Sequence, residues 1–154
     1  MNEYRVTKYN PSKRDEWGHY LDKDEWTDFC EVGKKVSIEA YEIVETAYIN
    51  SAIEFLSDSG IETLQVVGLE DYQQNGLYKE GETIQVGSLE PVLRSLLRNE
   101  FWCRLESKLG FIHIGWDFYM YIGICKISKA VIHNAEKRGL FVEPFISPYH
   151  PTNC

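Results

Sequence analysis

A long segment of this 154-residue chain contains no basic residue, because neither Lys nor Arg occurs between Val36 and Tyr78. Up to Leu77 the chain holds 16 Asp and Glu against 7 Lys and Arg, whereas the remainder holds 8 against 9. The formal net charge of -8 therefore lies in the first half. A surplus of one sign attracts partners of the opposite sign and repels nucleic acid. The pattern predicts a negative face on the folded protein and a basic protein as its partner.

The sequence also lacks the patterns of secretion, membrane insertion and common catalytic chemistry. No apolar run approaches the roughly 20 residues of a membrane span, and the first ten residues do not resemble a signal peptide. The four cysteines form no CxxC pair, so we expect reduced thiols in a cytoplasmic protein. Metal-spaced histidines, nucleophile elbows and Gly-rich phosphate loops are absent. We therefore expect no metal, no cofactor, no membrane or nucleic-acid partner, and no catalysis.

Hydrophobic periodicity predicts a single α+β domain over residues 1–154. The clearest helical pattern is Ser37–Ser59, in which Ser37 can serve as N-cap and Gly60 follows the end. Two shorter helices are predicted, one after Ser88 and one over Ser128–Arg138. Strands are predicted at Tyr4–Tyr9, Thr63–Leu69, Thr83–Val86, Phe101–Glu106, Phe111–Cys125 (with a reversal near Trp116–Tyr119) and Leu140–Ile146. This order favours an antiparallel sheet with helices packed on one face. The proline-containing tail, residues 147–154, is predicted to be frayed.

The segment Asp15–Glu31 combines negative charge with aromatic side chains. It holds seven carboxylates and one Lys, interleaved with Trp, Tyr and Phe. In a binding surface, carboxylates accelerate the encounter with a basic protein and buried rings hold the complex. The same pattern fits a solvated loop whose rings pack inward on the core. The predicted partner-binding residues, including two on the exposed side of the following helix, are Asp15, Glu16, Trp17, Tyr20, Asp24, Glu25, Trp26, Asp28, Glu39 and Glu42.

Polar side chains alternate along two later strands and provide an alternative hypothesis. Arg104 and Glu106 share a face of one strand, and His113 and Asp117 share a face of the next run. If these strands pair, the four side chains converge into a general acid–base group, with Arg holding an anion. Polar residues that pair across a solvated sheet face produce the same spacing. The alternative function is therefore a small hydrolase or nuclease-like enzyme.

Two stretches resemble small bacterial immunity proteins that are encoded beside polymorphic or contact-dependent growth-inhibition toxins. Arg98–Ile124 is similar to their strand core, and Tyr4–Phe29 is similar to their N-terminal stretch through its Tyr-Asn-Pro and Asp-Glu-Trp-Thr elements. Together they cover about a third of the chain. The resemblance implies a cytoplasmic antitoxin without catalysis that binds a cognate toxin domain and blocks its active site. Many such toxins are basic nucleases. An acidic aromatic surface is suited to bind a nuclease of this kind and to occupy the surface that nucleic acid needs. A third hypothesis is a regulatory module that uses this surface on another basic partner.

Overall fold

The computed structural model describes residues 1–22 and 28–151 of the chain. Within these residues, seven antiparallel strands form one sheet and three helices pack against it, which confirms the predicted α+β class. The strands are β1 (Asn2–Thr7), β2 (Thr63–Glu70), β3 (Thr83–Gln85), β4 (Trp102–Glu106), β5 (Gly110–Ile114), β6 (Met120–Ile124) and β7 (Phe141–Pro144). The helices are α1 (Ile38–Asp58), α2 (Leu89–Leu97) and α3 (Lys129–Lys137). The strand order is β3-β2-β4-β5-β6-β1-β7.

Helix α1 forms where the sequence predicts it, and it organises the core. The Ser37 hydroxyl accepts a hydrogen bond from the Ala40 N–H at 3.2 Å, and Gly60 follows the helix in the left-handed region, at φ 71°. Large side chains of α1, among them Tyr48 and Phe55, are buried within the hydrophobic core. Both α2 and α3 pack against α1, so the apolar sides of all three helices contribute to one core.

The apolar run Phe111–Cys125 is a β-hairpin, as the predicted reversal requires. Strands β5 and β6 pair up to Ile114 and Met120, and the Gly115 N–H then donates to the Tyr119 carbonyl at 2.9 Å. Residues 116–118 make the turn, and Phe118 adopts the left-handed region at φ 62°. Both strands are buried along their whole length. Burial on both faces explains why their sequence reads as one apolar run instead of a clean alternation.

The C-terminal segment, Phe145–His150, is the main departure from the predicted fold. Fraying is predicted from Ser147, yet this segment crosses the face of the sheet opposite the helices. The Ser147 N–H donates to the Glu3 carboxylate at 2.8 Å, and the Arg104 guanidinium donates to the Tyr149 carbonyl at 3.1 Å. Pro148 prevents regular strand pairing there, but it does not prevent these contacts. Residues 152–154 of the predicted tail lie outside the described residues.

The charge segregation along the chain is only partly preserved in the fold. Glu45 of α1 is fully buried, and its carboxylate lies 3.2 Å from the Arg94 guanidinium and 2.8 Å from that of Arg98. Further along α1, Glu54 forms an ion pair with Arg138 at 2.7 Å. Arginines from the second half of the chain thus neutralise part of the acidic first half. The predicted negative face therefore does not include the side of α1 that meets α2 and α3.

Candidate protein-binding surface

Three connecting segments emerge at the same end of the sheet. Met120, the first residue of β6, pairs with Val6 near the end of β1 and with Ile114 at the end of β5. Strand β2 ends at Glu70 opposite Trp102, whose indole N–H donates to the Ile114 carbonyl at 2.8 Å. Residues 8–22, which follow β1, residues 71–77, which follow β2, and residues 115–119 of the β5–β6 turn therefore lie along one end of the sheet. We call this region the loop end.

A cluster of three tyrosines fixes residues 8–22 to the sheet. The ring centroids of Tyr9 and Tyr20 are 4.9 Å apart, and those of Tyr9 and Tyr119 are 5.4 Å apart. All three residues are half-buried. Tyr20, which the sequence predicts as a partner-binding residue, thus also contributes to the attachment of this segment. The loop end is consequently a packed surface and not a detached loop.

Asp15 sets the local conformation of the acidic segment. Its carboxylate accepts hydrogen bonds from the N–H groups of Trp17 at 2.9 Å and His19 at 2.8 Å. Partial desolvation opposes ionisation of Asp15, but these N–H groups hold the pKa of its carboxyl below the ordinary value. Trp17 is 76% exposed, and Glu16 beside it is exposed as well. The core alternative is therefore excluded for Trp17, whose ring lies in solvent.

The other predicted partner-binding residues have different environments. Asp28 is half-buried and accepts a hydrogen bond from the Asn99 amide at 3.2 Å. Glu39 and Glu42 are exposed on the first turns of α1, and Glu42 lies 3.8 Å from Arg98. Three of the predicted residues, Asp24, Glu25 and Trp26, lie outside the described residues.

Exposed apolar side chains that the sequence analysis missed add to this surface. Most of the large hydrophobic side chains exposed in the described residues belong to the loop end or to the N-terminal part of α1, namely Trp17, Leu21, Ile38, Ile43, Tyr72, Leu77 and Trp116. Those exposed elsewhere are Met1, Leu109, Phe145 and Ile146. Trp116 was missed because it lies in an apolar run typical of buried strands. The reversal predicted near Trp116–Tyr119 is the signal that indicates an exposed position for Trp116, because turns lie at the surface. A concentration of exposed apolar groups is typical of interaction sites.

The polar cluster of the alternative hypothesis forms in part. His113 Nε2 lies 3.0 Å from Glu106 Oε1, and the Arg104 guanidinium lies 3.5 Å from the same carboxylate. Asp117 does not join them, because its carboxylate accepts the Tyr119 N–H within the β5–β6 turn at 3.1 Å. The C-terminal segment supplies a group that the sequence analysis missed, the Ser147 hydroxyl, 2.7 Å from His113 Nδ1.

Burial decides what this polar cluster can do. His113 is fully buried and Ser147 is only 3% exposed, because the C-terminal segment covers them. Desolvation lowers the pKa of His113 to about 3, with smaller contributions from His150 and Arg104. A general base must reach the proton of a bound substrate, and its pKa should lie near the operating pH. His113 meets neither condition, and the contacts of the cluster attach the C-terminal segment to the sheet.

No protein-family model, curated protein or solved structure matches the chain. The resemblance to immunity proteins therefore remains a prediction from short sequence stretches. None of the helices within residues 1–22 and 28–151 is long and apolar enough to cross a membrane. The geometry of the loop end and its exposed side chains thus provide the evidence about function.

Proposed function

We propose that this protein is a non-catalytic, immunity-type inhibitor that binds a cognate toxin domain through the loop end. The observation that carries the proposal is the position of Trp17, a large ring in solvent directly after Asp15 and Glu16, on a segment packed against the sheet. Interface anchors are enriched in Trp and Tyr, which bury a large area for little loss of side-chain entropy. The Trp17 N–H donates to the Asp15 carboxylate, so the backbone that carries the ring is ordered before binding, which reduces the entropic cost of association.

The charge around this ring supports a basic partner. Glu16 is exposed beside Trp17, and Glu39 and Glu42 are exposed on the first turns of α1, where Glu42 lies 3.8 Å from Arg98. Such carboxylates accelerate association with a basic protein and discriminate against acidic ones. A toxin domain that binds nucleic acid carries a basic surface, and an inhibitor seated on it excludes the substrate. The proposed site of action is the cytoplasm, and the proposed mode needs no cofactor.

The two other hypotheses differ in how the described residues support them. An acidic regulatory module would use the same loop end on a different basic protein, so only the identity of the partner separates it from an inhibitor. A small enzyme would need the polar cluster, whose histidine and serine are covered by the C-terminal segment.

The test is co-expression with the toxin domain encoded beside the gene, followed by titration calorimetry with the purified proteins. We expect protection of the producing cell and a one-to-one complex. The enzyme control is His113→Gln, which is expected to protect as well as wild type. A neighbouring toxin that stays active and unbound would overturn the proposal, as would hydrolysis by the purified protein that His113→Gln abolishes.

A further inference from the structure

Two aromatic rings from different segments of the loop end lie side by side in solvent. Tyr72 follows β2 and is 66% exposed, and Trp116 lies in the β5–β6 turn and is 50% exposed. Their ring centroids are 6.1 Å apart, with 37° between the ring planes. Aromatic rings that meet in a core lose their contact with water. These two rings shield part of each other from solvent, and their other sides remain exposed. The pair thus presents an aromatic surface formed only in the folded protein.

The backbone on both sides holds the rings in place. In the β5–β6 turn, Phe118 takes a left-handed conformation, which is uncommon for a bulky residue, while its own ring is buried. The Tyr48 hydroxyl donates to the Phe118 carbonyl at 3.0 Å and ties the turn to α1. In the segment after β2, the Tyr72 hydroxyl donates to the Glu70 carboxylate. The turn that carries Trp116 and the hydroxyl of Tyr72 are therefore anchored, and the two rings contact each other in the protein by itself.

The charge beside these rings is negative. Asp71 and Asp117 adjoin Tyr72 and Trp116 in the sequence, and Glu70 lies two positions before Tyr72. None of these three carboxylates forms an ion pair within the described residues. Asp71 accepts only N–H groups, from Asn75 at 3.1 Å and Gly76 at 2.8 Å. Backbone N–H groups leave the full negative charge of the carboxylate in place.

Elsewhere the chain covers aromatic faces with its own arginines. The Arg98 guanidinium lies 4.2 Å from the centre of the Phe29 ring, and that of Arg5 lies 3.9 Å from the centre of the Phe145 ring. Among the described residues, no such contact involves Tyr72 or Trp116. The ring pair is thus an aromatic surface able to accept a cation, and no arginine or lysine of the described residues covers it.

We propose that Tyr72 and Trp116, with Glu70, Asp71 and Asp117, receive an Arg or Lys side chain of the protein that binds the loop end. A cation placed over an aromatic face within about 6 Å is stabilised by the ring quadrupole, most strongly over Trp. The neighbouring carboxylates add direct attraction to the same charge. This inference rests on the proposed function and deepens it, since it names the chemistry of the partner at one place on the surface.

A peptide titration tests the receptor without the toxin. The indole N–H signal of Trp116, assigned by its loss in Trp116→Phe, is followed by NMR while a blocked arginine tripeptide is added. The matched peptide carries citrulline, which keeps the shape of arginine without its charge. We expect a saturable shift with arginine and a much smaller one with citrulline. Equal shifts, or none with either peptide, would overturn the inference.

A second measurement uses the full partner. Trp116→Ala and Tyr72→Ala are expected to weaken the toxin complex by at least about tenfold, as losses at interface anchors do. The matched control is Leu109→Ala, which removes an exposed apolar side chain at the opposite end of the sheet. A complex that tolerates both ring variants would overturn the inference while the proposed function stands. If no toxin binds at all, the proposed function fails and the peptide titration alone decides the inference.

Discussion

The loop end and the face of the sheet that the C-terminal segment covers (the covered face) contain similar residue types. At the loop end these side chains are exposed, whereas on the covered face they are buried. On the covered face, His113 meets Glu106 and Ser147, and Arg104 meets the Tyr149 carbonyl. At the loop end, the Trp17 and Trp116 rings remain in solvent, and Glu16, Asp71 and Asp117 form no ion pair within the described residues, unlike Asp22, which pairs with Lys13. The difference teaches that composition does not locate a binding site. Side chains whose partners lie within the chain hold the fold together, and those without such partners are available to another molecule.

The largest effect is expected on the covered face. His113→Ala removes a fully buried ring and leaves Ser147 and Glu106 without their partner, which should lower the free energy of unfolding by about 2–5 kcal/mol. Urea denaturation measures this. The matched control is His133→Ala, an exposed histidine of α3, which should change the stability by less than about 0.5 kcal/mol. Equal stability of the two variants would mean that the cluster does not hold the C-terminal segment.

The converse is expected at the loop end. Trp17→Ala should weaken toxin binding by about 2–4 kcal/mol, chiefly through faster dissociation, because it removes an anchor ring. Its melting temperature should match that of wild type, since the ring is 76% exposed. Surface plasmon resonance and thermal denaturation measure the two quantities. A loss of stability without a loss of binding would reverse the assignment of the two regions.

Acid should act on the covered face through His113. Burial lowers the pKa of His113 to about 3, whereas an unfolded histidine titrates near its ordinary value. Between these two pKa values His113 is protonated in the unfolded state and neutral in the folded state. The folded state therefore has its full stability above about pH 6.5 and loses stability as the pH falls toward about 3. The expected slope is up to about 1.4 kcal/mol per pH unit. Urea midpoints between pH 7 and 5 measure it, and His113→Gln should flatten the dependence. An unchanged slope in that variant would place the titrating group elsewhere.

The smallest effect is expected from the exposed carboxylates of α1. Reversing Glu39 and Glu42 to Lys should slow association with the toxin severalfold and leave dissociation nearly unchanged, because rim charges act on the encounter. The matched control is reversal of Glu62 and Glu136, which changes the net charge equally at exposed positions away from the loop end. Stopped-flow association at low and high salt measures both, since the Debye length is about 8 Å at physiological ionic strength. Equal slowing by both pairs would indicate net charge alone.

The sequence predicts the parts of this fold that depend on local signals. Helix α1 follows from the Ser37 cap, its apolar periodicity and Gly60, and the β5–β6 reversal follows from the length of the apolar run. The C-terminal segment was missed because Ser147 and His113 are 34 residues apart and no local pattern joins them. The arginines that pair with Glu45 could not be identified for the same reason, because Arg94 and Arg98 lie 49 and 53 residues away along the chain. The acidic residues before Trp17 were enough to propose it as a binding residue. They did not indicate that it would lie on a surface built from several separate loops.

The pair of Tyr72 and Trp116 marks the limit of such reasoning. Each residue is unremarkable in its own segment, and only the antiparallel arrangement of β2, β4, β5 and β6 brings the two rings together. A candidate site assembled from distant loops leaves no spacing in the sequence to detect. Glu70 and Asp71 belong to the acidic first half and Asp117 does not, and nothing in the sequence indicates that these carboxylates form no ion pair among the described residues.

The place of β1 in the sheet has a consequence for how the chain folds. β1 lies between β6 and β7, so Asn2 pairs with Ile124 and Tyr4 pairs with Pro144. These pairings join segments at opposite ends of the sequence, and such non-local contacts slow folding because a long loop must close before they form. During synthesis, β1 emerges long before its two neighbouring strands exist. Both edges of β1 therefore stay unpaired until β6 and β7 have been synthesised, and the pairing of β1 is a late step in the formation of this sheet.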